Sequence, residues 1–185
     1  DPDVILVGEM RDNETAEIGL RAAMTGHMVL STLHTNDAVS TAMRLLDMGV
    51  DHYLVASSLR AVMAQRLIKR LCEHCQEDHE LEEQERAWLM SMTEGSLLAS
   101  YKKGRGCHHC NNTGYSGRMG IYELLEMDDE MITAMRRNSA DEFASAANAH
   151  PRFRPLALCA LDYARQGITS LDEVFRVSAS LGDGG

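Results

Sequence analysis

Val4-Ile5-Leu6-Val7-Gly8-Glu9 is a short, unalternating apolar run stopped by a glycine and an acid. Such a run reads as a central strand covered on both faces, the kind found in parallel sheets. The residues that follow keep to that plan. Asn13 can cap a helix whose Ala16, Leu20, Ala23 and Met24 share one face, and Gly26 supplies its left-handed stop. His27 to Leu33 returns as a second strand. Thr35 or Asn36 can cap the next helix, with Val39, Met43 and Leu46 on one stripe and Gly49 at its end. Strand, helix, strand, helix is the signature of an α/β fold, a parallel sheet flanked by helices.

Further along, a helix is expected near His52 to Ser58 and a strand around Val62 to Leu71, where Arg66, Lys69 and Arg70 add basic character. Glu73 to Ser100 holds eight acids against one Arg, so it reads as a solvated satellite with Ala87 to Met92 as its helical contact. Tyr101 to Gly106 reverses the charge, and Asn111 to Gly120 is turn-rich. Ile121 to Met127 resumes as a strand, and the remainder reads as a small helical bundle with breaks near Asn138 and Pro151. Ser170-Leu171-Asp172-Glu173 matches a capping box, and Leu181 to Gly185 is expected to fray.

Composition narrows the function. The chain has 185 residues, 44% of them hydrophobic, enough for one real core and a small satellite. A net charge of -10 argues against nucleic acid, because phosphate backbones demand clustered Lys and Arg. No apolar stretch approaches membrane-span length and no signal-peptide pattern is present, so a cytoplasmic protein without a direct membrane span is expected. The opening Asp1-Pro2-Asp3, running at once into a buried-type strand, reads as part of a longer chain.

Four of the five cysteines form two pairs, Cys72-x-x-Cys75 and Cys107-x-x-Cys110. Each pair puts two thiolates on a tight turn, so that all four can surround one tetrahedral ion, and Zn2+ is expected in a structural role because no position is left open for water. Residues 76 to 106 separate the pairs, more than in common zinc ribbons. The competing reading is two reduced or redox-active pairs. His74, His79, His108 and His109 crowd the region but are expected to stay outside the metal shell, and Cys159 reads as a small buried hydrophobe.

Glu9 ends an apolar strand, as the carboxylate beside Mg2+ and the attacking water does in P-loop NTPases, whose strand C-termini face the ligand crevice. Ser31-Thr32-Leu33-His34-Thr35-Asn36 sets hydroxyls, an imidazole and an amide at the end of the neighbouring strand, where they can face a phosphate.

Asp3 to Asp12, Thr25 to Asn36, Gln65 to Cys72, Gly117-Arg-Met-Gly-Ile-Tyr-Glu123 and Gly167-Ile-Thr-Ser-Leu-Asp-Glu-Val174 together resemble the secretion ATPases, hexameric motors of type II secretion and type IV pilus assembly. The resemblance implies the trailing half of a RecA-like ATPase core in residues 1–71, a zinc-binding subdomain in 72–118, and a C-terminal strand and helical subdomain in 119–185. It implies that Val4 to Glu9 is the Walker B strand, with Glu9 polarising water or holding Mg2+ indirectly. Gly26 to Asn36 becomes the histidine box, with Thr32 at the nucleotide and His34 sensing the γ-phosphate of ATP. Arg11 and Asp12 either couple to a neighbouring subunit or form a surface ion pair, and Gln65 and Arg66 match the pattern without an assigned role.

The implied partners are five further copies in a homohexamer, an inner-membrane platform protein and its cytoplasmic adaptor, which would hold the motor at the bacterial inner membrane. The cysteine pairs resemble the secretion and pilus-extension branches, and the Met-rich sequence with its acidic insertion resembles the branch serving mannose-sensitive haemagglutinin-type pili. One departure matters: no G-x-x-x-x-G-K-[ST] phosphate loop occurs, so these residues alone are expected not to hydrolyse ATP. The alternative from another class is a zinc-ribbon adaptor that binds protein or nucleic acid.

Overall fold

The computed structural model describes residues 2–93 and 100–182. The expected fraying of the terminus falls largely on 183–185, outside the described residues. In chain order the elements are β1 (Val4–Val7), α1 (Asn13–Met24), β2 (Met28–Ser31), α2 (Ala38–Asp47), α3 (His52–Ser58), β3 (Ala61–Leu71), β4 (Gln76–His79), α4 (Glu83–Met92), β5 (Tyr101–Gly104), β6 (Tyr115–Glu126), α5 (Asp129–Arg136), α6 (Ala140–Ala149), α7 (Leu156–Arg165) and α8 (Leu171–Gly182). The chain is α/β, and it divides into one unit of Asp1–Ala64 with Glu123–Phe153 and a second of Gln65–Tyr122 with Arg154–Gly185.

The first unit is built outward from β1. It pairs in parallel with β2, Val4 opposite Met28 through Val7 opposite Ser31, and α1 makes the crossover between them. Asp12, one residue before the expected cap, accepts the Thr15 amide at 2.8 Å. Asp37 rather than Thr35 or Asn36 caps α2, through the Ser40 amide at 2.7 Å. Both are Asp in extended backbone directly before the first helical turn, the conformation a cap requires. Leu20, Leu45, Val55, Leu125, Met131, Met135 and Phe143 form the core of this unit. Val39, Met43 and Leu46 of α2 pack at its edge, while Ala38, Thr41, Ala42 and Leu45 are the residues α2 buries.

One expectation fails here. β1 is covered on one face only: Val7 packs on the core, but Val4 and Leu6 are 54% and 74% exposed. Met28 and Leu30, their partners in β2, are 62% and 51% exposed. Among the described residues β1 and β2 form a two-stranded sheet, so nothing covers their second face. Met24 is also exposed, and the second strand is shorter than expected, Met28–Ser31 instead of His27 to Leu33.

In the second unit β4 and β5 pair antiparallel, Gln76 opposite Gly104 through His79 opposite Tyr101. Leu89 of α4 is fully buried, and Trp88 of the same helix meets Phe175 of α8 edge-on at 4.8 Å. The residues before α8 lie along the end of β3: the Leu71 amide donates to the Ile168 carbonyl at 2.9 Å, and the Thr169 hydroxyl donates to the Lys69 carbonyl at 2.7 Å. Ser170 accepts the Glu173 amide as a capping box predicts, but the Glu173 carboxylate turns to the Lys69 amide at 2.8 Å and to Arg176 at 2.7 Å. β3 pairs with β6, and the division between the units falls within both strands. Cys159 is half-buried, not fully enclosed, and its thiol donates to the Tyr122 carbonyl at 3.2 Å.

Candidate functional site

The four cysteines meet at one point. Their Sγ atoms all lie within 4.8 Å of one another, and three of the four residues are buried. Cys72 and Cys107 are 3.9 Å apart at sulfur, Cys75 and Cys110 3.8 Å, Cys107 and Cys110 3.8 Å. A disulfide needs about 2.05 Å, whereas four sulfurs each about 2.3 Å from a shared tetrahedral centre stand about 3.8 Å apart. The donor set and its spacing therefore fit a metal ion of the zinc type.

Backbone geometry makes that convergence possible. In each pair the second cysteine amide returns to the first cysteine carbonyl, at 3.2 Å in both turns. The amides of Cys107 and Gly114 point at Cys110 Sγ from 3.3 and 3.2 Å. Gly114 sits at φ +78°, and a Cβ there would stand 2.6 Å from the Gly104 carbonyl oxygen. Only glycine permits both the left-handed backbone and that approach. Burial pushes the Cys72 thiol up and carries Cys75 to about 12. At Cys110 burial acts in the same direction, yet the Cys107 and Gly114 amides overcome it and pull the thiol down to about 6. Among the described residues no histidine joins the four sulfurs: His74 stacks on His109 at 3.9 Å and both are exposed, while His79 bonds Glu85 at 2.8 Å.

The second cluster stands at the ends of β1 and β2. Glu9 holds His34 Nε2 at 2.9 Å on one carboxylate oxygen and Arg11 Nε at 2.6 Å on the other. Its own side chain is 20% exposed, against 86% for His34 and 77% for Arg11. Two bonds lock the strand ends together: the Thr32 hydroxyl donates to the Gly8 carbonyl at 2.8 Å and the Met10 amide to the Thr32 carbonyl at 3.0 Å. The structure thus brings Glu9, Arg11, Thr32 and His34 to one place. Asp12 does not pair with Arg11. It caps α1 instead, and the Thr15 amide and hydroxyl hold its carboxyl below the usual range.

A family model described as type II/IV secretion system protein matches residues 1–176. The chain belongs to that family. Over 178 residues it is 44% identical to the type II secretion system ATPase E of Vibrio cholerae, covering 96% of this chain and 35% of that protein. It is 45% identical over 181 residues to the type IV pilus assembly ATPase PilB of Pseudomonas aeruginosa, covering 96% of this chain and 31% of the relative. The chain thus spans about a third of the length of the curated relatives it matches.

Among solved structures, the pilus retraction motor PilT with bound ADP superposes with a TM-score of 0.63 at 26% identity, over 96% of this chain and 40% of that one. The Yersinia pseudotuberculosis ATPase DotB gives 0.64 at 19% identity, over 97% of this chain and 37% of that one, a likeness of fold.

Two buried acids escape a functional reading of the sequence. Glu123 is 2% exposed in β6 and accepts the Ala38 amide at 2.5 Å, and Glu173 is 3% exposed in α8. Glu123 leaves a trace in the pattern: it alternates with Ile121 and Leu125, so it falls on the inward face of its strand.

Proposed function

We propose that this chain is the trailing part of a secretion or pilus-assembly ATPase, and that Glu9 and His34 belong to its nucleotide site. The observation that carries the reading is the meeting of Glu9, His34 and Arg11 at the C-terminal ends of two parallel strands, in a member of this family. Ligands of open parallel sheets bind beyond those ends. Bound ATP with Mg2+ supplies the phosphoanhydride bond whose cleavage drives the motor. Glu9 orients and polarises the attacking water or holds the ion indirectly, and His34 and Arg11, both projecting into solvent, reach the terminal phosphate with N–H donors. Thr32 keeps the two strand ends in register.

In this reading β1 and β2 are strands of the trailing half of a RecA-like core in residues 1–71. The bare apolar face of Val4, Leu6, Met28 and Leu30 supports that, because a strand this apolar belongs inside a larger sheet. The four cysteines hold structural Zn2+, and α7 and α8 belong to a C-terminal helical bundle. The whole protein works as a cytoplasmic homohexamer held at the inner membrane by a platform protein and its adaptor. It serves type II secretion or pilus extension, with the mannose-sensitive haemagglutinin-type pilus as the favoured branch. The absence of a G-x-x-x-x-G-K-[ST] loop from these 185 residues leaves them without the main phosphate cradle, so alone they hydrolyse no ATP.

The test is turnover by the full-length protein. Glu9→Gln and His34→Ala should each lower kcat by about 100-fold or more, and the 185-residue chain should show no turnover. An unchanged rate in Glu9→Gln, or turnover by the short chain that Glu9→Gln abolishes, would overturn the reading.

A further inference from the structure

The N-terminus of α2 is closed by two side chains from different parts of the sequence. Asp37, the local cap, takes the Ser40 amide at 2.7 Å, and Glu123 of β6, 85 residues beyond Ala38, takes the Ala38 amide at 2.5 Å. Glu123 is 2% exposed, with Ile121 and Leu125 at 1% and 0% on the same strand face, so its carboxyl group has little freedom to leave. A helix N-terminus is a ready anion site. This one is already filled from within, which leaves the Glu9 and His34 side of the strand ends as the place to meet a phosphate.

The segment between Thr32 and Ala38 carries His34 and is anchored at both ends. Thr32 ties its start to Gly8, Thr35 bonds Thr41, and Glu123 fixes its far end at Ala38. The last anchor comes from outside the β1–α2 stretch. Without it, the first turn of α2 and the short connection bearing His34 could shift together relative to Glu9.

We infer that Glu123 is a positioning residue: by holding the Ala38 amide it sets where α2 begins, and so where His34 stands against Glu9. The inference rests on the proposed nucleotide site and adds to it a residue from a distant strand. What matters is reach rather than charge. Glutamine presents an oxygen at the same distance, whereas aspartate keeps the charge but is one methylene too short.

The experiment compares E123Q, E123D and E123A in the full-length protein. E123Q should keep kcat within about twofold, while E123D and E123A lower it about tenfold or more with KM changed less than about twofold. The E123D/H34A double variant should be no slower than H34A alone, because both act through one group. Hydrogen exchange across residues 34–40 should quicken in E123D and E123A and stay as wild type in E123Q. E123D behaving as wild type, multiplicative rate losses in the double variant, or unchanged exchange in E123D would overturn the assignment. If the wild-type protein hydrolyses no ATP, the proposed function fails, and the exchange comparison of E123D with E123Q still decides the role of Glu123.

Discussion

Glu173 shows how a single acid can tie two distant stretches together. Burial pushes its carboxyl up, but the Arg176 guanidinium and the Lys69 amide and ammonium hold it below the usual glutamate range near 4.5. A depressed folded value means stability that is present above the unfolded value and is lost as pH falls through the folded one. Glu173→Gln should therefore flatten the acid limb of the stability profile below about pH 4.5 and cost about 1–2 kcal/mol at neutral pH, read by denaturant unfolding across pH.

Cys107 gives a second prediction at this scale. Cys107→Ser removes one of four sulfurs spaced for a single ion, so metal content by elemental analysis should fall well below one per chain and thermal stability should drop. Unchanged metal content would refute the structural role. These two sites differ in legibility. The cysteine pairs announce themselves by spacing, whereas Glu173 sits in a capping-box pattern but turns its carboxylate to the Lys69 amide and the Arg176 guanidinium, partners that no local pattern reports.

Elements were legible where pattern and burial agree. β3 and α3 lie close to where the sequence reading places them, and the break at Asn138 is a left-handed residue between α5 and α6. β4 was not legible, since Gln-Glu-Asp-His has no apolar alternation. It forms opposite β5, where Glu77 faces Lys103 and Asp78 faces Lys102, with Nζ to carboxylate distances of 3.9 Å for both pairs. Exposed pairs of this kind contribute only tenths of a kcal/mol, so the pairing leans on the cysteine turns beside its Gln76–Gly104 end, where the Arg105 amide donates to the Cys75 carbonyl at 3.0 Å.

The turns can be tested by a pair of glycines. Gly114→Ala should cost more than about 2 kcal/mol, since it adds a Cβ 2.6 Å from the Gly104 oxygen to a left-handed backbone. Gly117→Ala, at φ +80° with open space around it, should cost only about 1 kcal/mol. Thermal denaturation of both variants separates steric approach from backbone strain.

At the scale of the molecule, a zinc chelator should strip hydrogen-exchange protection from residues 72–79 and 101–114 while leaving α1 and α3 protected, since those helices pack in the core of the first unit. Equal loss throughout would show that the metal supports the whole chain. The parallel pairing of β1 and β2 was readable from a few apolar residues; their uncovered face was not, because periodicity reports what a strand is made for and not which residues supply its cover.

The sharing of the chain between two units bears on how it is made. The polypeptide passes from one unit to the other after Ala64, after Tyr122 and after Phe153. On a ribosome, Leu20, Leu45 and Val55 emerge early, yet the core they share with Leu125, Met131 and Phe143 can close only once α6 has been synthesised. At about 5–20 residues per second that is a delay of several seconds with apolar surface open, the interval in which a nascent chain is most exposed to chaperones and to aggregation.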